Sequence, residues 1–553
     1  VFTSQEVSVL KFNESTDSFI LYTKDEKKAE NAGLTLSNNI RGPAGDRVYF
    51  TADHNMKPVF NPYAVLDFYD EADDKAADFL HGLAKDYRAS WADGTVGTYP
   101  SYPVPDGREY MPFQTAAVYN LLDHGGGIIA DEPGLGKTIQ AIAYANALGA
   151  KSVLVIVPAA VRLQWKREIL LWSVIPKVTV ETIFAGSQST WNSPNYLVCS
   201  YDLARNHGIH AAICSRDWDL LITDEGHYLK TNDALRTRAI FGGGDGYFHD
   251  KWIAKHCDHH VSLTGTPLPN RPRESYVLAR GMNWPAIDYL SKDAFMYRYN
   301  PSVRSEITGR NIEKKGRLPE LNARLRCSVP MIRRLKADVL PQLPPKRYEM
   351  TYLEPNGNVQ RILKEEALID FDPKVLFNPD FKLGGTPIST LRREMGEAMV
   401  PEVLEYLKYQ INIVELPKII VFAHHKVVIA AIAEGLARHG VVLHVGGMSP
   451  KKKAESIHRF VNDPRVGVFL GQLDTMEGVD GLQTVTEHVF FPEAAWTPRG
   501  NEQCVDRAHR MGQRGDVIAR FLLIEGSFNE KVLHTVMSKV PDIHETLDRR
   551  LIT

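Results

Sequence analysis

Along the 553-residue chain, short and nearly unbroken apolar runs alternate with helical stretches in two separate series. The first series holds Gly127-Ile128-Ile129-Ala130, Val153 to Val157, Tyr196 to Cys199, Leu220 to Thr223 and Val261 to Leu263. The second holds Ile419-Ile420-Val421-Phe422, Val441 to Val445, Val466 to Leu470, Val489 to Phe491 and Val517 to Leu523. Strands of a parallel sheet read this way, because helices cover both faces and leave no solvent side towards which residues can alternate. The pattern predicts an α/β protein with two parallel-sheet lobes, at residues 101–273 and 417–553. Between them, 274–350 reads as a basic helical insertion from the first lobe and 351–416 as a helical insertion from the second. Residues 1–100 read as a small acidic α+β accessory domain. It combines a turn at Arg41-Gly42-Pro43-Ala44-Gly45, a strand at Val48-Tyr49-Phe50-Thr51, a helix over Glu71 to Lys85 and a linker from Asp93 to Asp106.

Composition narrows the class. At 44% apolar and 24% charged residues the chain is globular rather than disordered or collagenous, and its length calls for several structural units. Five scattered cysteines suggest neither a disulfide framework nor a zinc knuckle, which fits a reducing compartment, nuclear or, in preference, cytoplasmic. The longest apolar runs, such as Ser152 to Val161, are about half of what a bilayer span requires, so no membrane partner is expected. A net charge of −2 does not exclude nucleic acid, since a phosphate backbone responds to the local distribution of charge.

The sharpest motif is Asp131-Glu132-Pro133-Gly134-Leu135-Gly136-Lys137-Thr138, set between a strand and a helix. Gly134 and Gly136 let successive backbone N–H groups face one concavity, Lys137 reaches the β- and γ-phosphates of ATP, and the Thr138 hydroxyl is a magnesium ligand. The next helix adds the positive end of its dipole. Further on, the run Asp219 to Thr223 delivers Asp224-Glu225-Gly226-His227 at a strand's carboxyl end, where open α/β sheets bind ligands. Asp224 suits the magnesium ion, and Glu225 suits the positioning of an attacking water.

Together with several others, in order and spacing, these motifs resemble the Swi/Snf-type ATPases of helicase superfamily two over most of Tyr110 to Glu530. The resemblance implies two RecA-like lobes and an ATP-dependent double-stranded DNA translocase. It assigns adenine reading to Gln114 in Met111-Pro112-Phe113-Gln114. DNA-backbone contact falls to Pro158 and Gln164, within Val157-Pro158-Ala159-Ala160 and Gln164-Trp165, and to Ser200 in Ser200-Tyr201-Asp202. Coupling of nucleotide state to DNA grip falls to His227 and to Thr264, Gly265 and Thr266 in Leu263-Thr264-Gly265-Thr266-Pro267. Ile332-Arg333-Arg334-Leu335-Lys336-Ala337-Asp338-Val339 is similar to a stretch particular to this family. So is Gln503-Cys504-Val505-Asp506-Arg507-Ala508-His509-Arg510-Met511-Gly512-Gln513. In the latter, Arg507 and Arg510 are read as arginine fingers, because a guanidinium from the opposing lobe neutralises the charge that phosphoryl transfer spreads over the γ-phosphate.

Trp496-Thr497-Pro498 is similar to a Trp-Asn-Pro element of the family, and core packing explains this tryptophan equally well. The chain departs from the family pattern at Gly471 to Gly481, where a Gly-Gly-rich segment is usual. Val421-Phe422-Ala423-His424-His425-Lys426 most resembles the annealing-helicase branch, associated with fork remodelling.

DNA binding has support of its own in the stretch from Arg304 to Arg347. There Arg310, Lys314, Lys315, Arg317, Arg324, Arg326, Arg333, Arg334, Lys336 and Lys346 face only four acids. Arg333, Arg334 and Lys336 are the DNA contacts expected from it. His256-Cys257-Asp258-His259-His260 has metal-ligand residue types, but it runs straight into a buried strand and lacks a partner Cys-x-x-Cys. The acidic N-terminal region is a candidate surface for a protein partner. Two other activities share the same ATP motifs: a strand-separating helicase of the superfamily, and an ATP-switched DNA clamp that works with a partner.

Overall fold

The computed structural model describes residues 9–13, 18–23, 35–41, 47–50, 71–72, 85–188, 190–243, 248, 251–265, 267, 274–282, 292–304, 311–313, 318–326, 331–367, 382–383 and 386–538. Near the N-terminus, β1 (Val9–Asn13), β2 (Ser18–Thr23), β3 (Thr35–Arg41), β4 (Arg47–Phe50) and β5 (Glu71–Ala72) form a sheet of order β3-β4-β2-β1-β5. It is antiparallel except at the β1–β5 pair. The strand at Val48 is present. The helix expected from Glu71 instead begins as β5, and residues 73–84 lie outside the described residues, as does the 42–46 part of the expected turn.

The described residues divide into two compact units: this N-terminal sheet belongs to the first, and the second takes Pro133–Leu135 and the residues from Lys336 on. In the first unit, β6 (Gly126–Ile129), β7 (Val153–Val157), β8 (Val180–Thr182), β9 (Tyr196–Ser200), β10 (Trp218–Asp224) and β11 (Cys257–Leu263) join in parallel. After a hairpin of β12 (Ser302–Arg304) and β13 (Asn311–Glu313), β14 (Met331–Ile332) returns to the sheet's edge. The order is β14-β6-β11-β10-β7-β9-β8. All residues of β6, β7 and β9 are buried, as the unbroken apolar runs require. Helices Pro112–His124, Lys137–Leu148 and Arg162–Trp172 supply Val118, Leu121, Ile142, Tyr144, Trp165 and Ile169 to the core on one face. Trp218, Ile209 and Ile240 pack on the other.

In the second unit, β15 (Lys346–Tyr352) is the edge strand of a second parallel sheet. A hairpin of β16 (Lys382–Leu383) and β17 (Thr386–Pro387) follows, and then β18 (Ile419–Ala423), β19 (Val441–His444), β20 (Val468–Gln472), β21 (His488–Phe491) and β22 (Val517–Leu523). The order is β15-β22-β21-β18-β20-β19.

The expected segment boundaries shift in three places. Before residue 100, Tyr87 donates from its hydroxyl to Asn322 Oδ1 at 2.8 Å, and Ser90 O accepts from Arg333 N at 2.8 Å, so this segment belongs to the first unit. The 274–350 segment ends inside β15, with β14 already in the first sheet. Helices Gly357–Ala367, Ile388–Ala398 and Val400–Asn412 are layers of the second unit: Val359, Met395, Val403 and Leu407 share a core with Ile419 and Val421. No helix among the described residues is long and apolar enough to cross a membrane.

Candidate nucleotide and nucleic-acid site

Sheet order places the chemistry of the first unit. With β11 between β6 and β10, the loop after β6 and the carboxylates ending β10 emerge one strand apart at the same carboxyl edge. The loop turns through Gly134 and Gly136, at φ 93° and 72°, a left-handed backbone that glycine adopts without strain. Gly136 answers a second need, since a Cβ there would lie 2.7 Å from Gln114 Nε2. Gln114 thus stands against the loop, while its Oε1 accepts from Met111 N at 3.0 Å and closes the first turn of its helix. Lys137 opens the next helix and donates to Asp131 O at 2.8 Å and Glu132 O at 3.3 Å. Burial pulls its ammonium down to about 8, against the upward influence of Glu225, Asp131 and Asp224. Thr138 is the second residue of that helix and half-buried.

Asp224 ends β10 with both oxygens engaged: Oδ2 accepts from Trp165 Nε1 at 2.7 Å and Oδ1 from Glu225 N at 2.8 Å. Burial and the adjacent Glu225 carboxylate push its acid up to about 7. Glu225 has φ 51° and ψ 50°, a left-handed conformation costing a non-glycine residue about 1–2 kcal/mol. Gly226 is required beside it, since a Cβ there would meet Ser262 Oγ at 2.2 Å. His227 Nδ1 lies 3.2 Å from Glu225 Oε2. The hydroxyl of Thr138 and the carboxylate of Asp224 are hard oxygen donors of the type magnesium prefers. A buried acid raised by its neighbour is also what a divalent cation would relieve, so these residues fit the ion.

The expected DNA residues divide. Gln164 is exposed on its helix, whereas Pro158 is buried. Ser200 is 3% exposed and spends its hydroxyl capping the helix Tyr201–Ala204, accepting from Leu203 N at 3.4 Å. Thr264 is buried, with its N–H donating to Ile129 O at 3.0 Å, and Gly265 O accepts from Arg333; Thr266 lies outside the described residues.

Arg326, Arg333, Arg334 and Lys336 face inward while Arg347 is exposed, and this corrects the expectation of an exposed stripe at the three expected contacts. Arg333, 8% exposed, donates from Nη1 to Ala130 O at 2.8 Å and Gly265 O at 2.9 Å. Arg334, 1% exposed, grips Asp131 with Nε–Oδ1 at 2.9 Å and Nη2–Oδ2 at 2.5 Å. It also donates to Gln140 Oε1 at 2.8 Å and to Phe113 O. One guanidinium therefore ties the start of the phosphate loop to both flanking helices. Lys336 donates to Asp506 Oδ1 at 2.8 Å and His509 O at 2.6 Å in the second unit. Arg326 is buried too, whereas Arg310, Lys314, Lys315 and Arg317 lie outside the described residues. The local charge count misled because partners distant in sequence take up these cations: the buried carboxylates of Asp131 and Asp506 hold Arg334 and Lys336, and backbone carbonyls hold Arg333.

In the second unit, Arg507 and Arg510 converge on one acceptor: each donates from Nη1 to Val479 O, at 3.1 and 3.2 Å. Arg510 also pairs with Asp480 at 3.2 Å. Burial opposes ionisation of Asp480, yet the Arg510 charge holds its carboxyl below the usual range. Val479 and Asp480 lie in the segment that departs from the Swi/Snf pattern. Trp496 packs under the buried Arg392 guanidinium, 4.2 Å from the ring centroid. In the His256 to His260 stretch, His259 Nδ1 bonds Gly125 O and His260 Nε2 bonds Thr223 Oγ1, each at 3.0 Å, so these rings serve separate partners.

The profile of the SNF2-related domain matches residues 72–398, more than half of the chain. The chain belongs to the SNF2-related domain family. It is accordingly an ATP hydrolase of the helicase-like kind. Curated relatives in this family include the DNA annealing helicase and endonuclease ZRANB3 of Homo sapiens, 26% identical over 461 residues, which cover 80% of this chain and 40% of that protein. Another is the SWI/SNF-related matrix-associated actin-dependent regulator of chromatin subfamily A-like protein 1 of Drosophila melanogaster, 28% identical over 455 residues, covering 80% and 57%. The chain thus spans about half the length of these relatives. A solved SNF2 structure, the Sulfolobus solfataricus SWI2/SNF2 ATPase core in complex with dsDNA, is 17% identical, covers 82% of this chain and 100% of its own, and has a TM-score of 0.38.

The order and spacing of the motifs were legible in sequence; the partners of their side chains were not. Trp165 and Arg334 are the functional residues whose roles sequence reasoning missed. The only signal was their place inside motifs read as DNA contacts.

Proposed function

We propose that the chain is an ATP-dependent motor that moves along double-stranded DNA, in remodelling, replication, recombination or repair. The observation that carries this reading is the order of the first sheet. It sets Lys137, Asp224 and Glu225 at one edge, beside the loops after β7 and β9 that are read as DNA contacts. Lys137 and the loop N–H groups bind the ATP phosphates, Gln114 reads the base, and Glu225 orients water for attack on the γ-phosphate. Thr138 and Asp224 would hold a magnesium ion, which would supply charge neutralisation at the phosphates. Arg507 and Arg510 act as arginine fingers on the developing charge. His227, Thr264, Gly265 and Thr266 relate nucleotide state to DNA grip. The naming of relatives as annealing helicases and chromatin regulators supports DNA as the partner.

Displacement of a third strand from a DNA triplex tests the reading, because movement along the duplex removes that strand without breaking base pairs. ATP-dependent displacement with little duplex melting is expected, and Arg510→Ala should bind DNA yet displace nothing. Efficient melting of plain duplexes would make the chain a strand-separating helicase. DNA-stimulated hydrolysis without displacement would make it an ATP-switched clamp.

A further inference from the structure

Two side chains from the expected DNA loops reach directly into the segment that carries the hydrolytic carboxylates. Trp165 lies on the helix Arg162–Trp172, one residue after the exposed Gln164, with its ring only 2% exposed and its Nε1 2.7 Å from Asp224 Oδ2. Tyr201 follows Ser200 at the end of β9, is 3% exposed, and donates its hydroxyl to Asp224 O at 2.7 Å. Its ring stacks on Tyr228, with centroids 5.5 Å apart and planes 6° from parallel. Tyr201 therefore holds both ends of the stretch Asp224 to Tyr228, and within that stretch sits Glu225 in its left-handed conformation.

Register makes the arrangement compact. Val157, at the end of β7, pairs with Ser200 at the end of β9, while Ile156 pairs with Thr223 of β10. The loops that follow these three strands are thus neighbours. Gln164, Arg167, Asp202 and Arg205 are exposed on the first two, and Trp165 and Tyr201 turn from the same loops towards the third. A buried side chain that makes one hydrogen bond to a carboxylate oxygen transmits a displacement of its own helix to that oxygen. A residue in a sparsely populated backbone region responds to such a push, because it is held there only by its surroundings.

We infer that Trp165 and Tyr201 are the positioning residues through which duplex DNA on the loops after β7 and β9 sets the geometry of Asp224 and Glu225, and so accelerates ATP hydrolysis. This rests on the proposed function, since it presumes that DNA is the ligand of those loops. The two residues touch neither reactant; they act by orienting the carboxylates.

The test compares the full chain with Trp165→Phe, which keeps an aromatic ring and loses the N–H, and Tyr201→Phe, which keeps the stack and loses the hydroxyl. ATP turnover with and without saturating duplex gives a stimulation ratio. Fluorescence anisotropy gives DNA affinity, and thermal melting checks the fold. For Trp165→Phe the ratio should fall roughly tenfold or more, the usual weight of a hydrogen bond to a charged group, while DNA affinity stays within about threefold. Tyr201→Phe should lower the ratio by about threefold to tenfold. If Trp165→Phe does not fold, Tyr201→Phe decides by the same ratio. An unchanged ratio in the folded variants overturns the inference. So does a parallel fall of both rates, which marks a purely structural role, and so does a loss of DNA affinity alone, which marks a direct contact. A wild-type chain with no DNA stimulation would overturn the proposed function itself, and the inference with it.

Discussion

The nucleotide end of the first unit and the arginine helix of the second are held in different ways. In the first, each charged group has several fixed partners. Asp131 is gripped by Arg334 and Gln140, Lys137 is tied to two carbonyls, and Asp224 has both oxygens occupied. In the second, two guanidiniums share the carbonyl of Val479, and Arg510 adds a bond from Nε to Asp506 O at 2.9 Å and a pairing with Asp480, whose carboxylate is 60% exposed. A site with redundant partners is pre-organised, and reaction then costs little rearrangement. Guanidiniums that rest on backbone oxygens and a solvated carboxylate can exchange them for a stronger anion such as a phosphate. On the proposed function, the first region is the ready half of the site and the second the half recruited to ATP.

Lys137→Ala should break the ready half outright. Hydrolysis should drop below detection in a phosphate-release assay while DNA affinity by anisotropy stays close to wild type, because the lysine belongs to the phosphate loop alone. Arg510→Ala tests the recruited half. Its kcat should fall by about 10³-fold with ATP binding retained, the loss typical of an arginine finger. A fall of less than tenfold would mean that Arg510 acts elsewhere.

Arg334→Met probes the redundancy of the first region through stability rather than rate. Leaving Asp131 buried without its cation should cost about 3–5 kcal/mol in denaturant unfolding, and the salt dependence of DNA binding should be unchanged. A lowered salt slope with unchanged stability would restore the exposed-stripe reading. Charge reversal of an exposed residue would show no comparable penalty.

His260→Gln gives a smaller and pH-dependent effect. Burial pulls the His260 imidazole down to about 3, so the folded protein keeps it neutral while the unfolded chain takes up a proton near pH 6.5. The folded-state value is depressed for a base, hence this group lowers stability as pH falls from about 6.5 towards 3, by up to about 1.4 kcal/mol per pH unit. The glutamine variant should flatten that slope in melts between pH 6.5 and 4. Asp480→Asn should have the smallest effect, under about 1 kcal/mol on stability, since Asp480 is itself the exposed member of the pair. A rise in ATP turnover in that variant would sharpen the picture of a parked finger.

Each region was legible to a different depth. The ten apolar runs of the two sheets appear as β6, β7, β9, β10, β11, β18, β19, β20, β21 and β22 within a few residues, because a strand buried on both faces must be apolar throughout. β8 and β14 escaped notice because they are only three and two residues long, and β15 because it is charged and mostly exposed at the edge of its sheet. The phosphate loop and the Asp224 motif were readable for a similar reason. Left-handed glycines, a lysine and a hydroxyl must follow one another along the chain to cradle a phosphate, so the chemistry is written in contiguous residues.

What the sequence alone determined about this protein was therefore its two parallel sheets and the order and spacing of the motifs read as nucleotide-binding, both set by local backbone and burial requirements. Tertiary structure decided the partners. Arg334 meets Asp131 across 203 residues, Trp165 meets Asp224 across 59, and Lys336 meets Asp506 across 170. A cation's role follows from whether it faces a solvated phosphate or a buried carboxylate, and strand order, which no local pattern encodes, settles which of the two it meets.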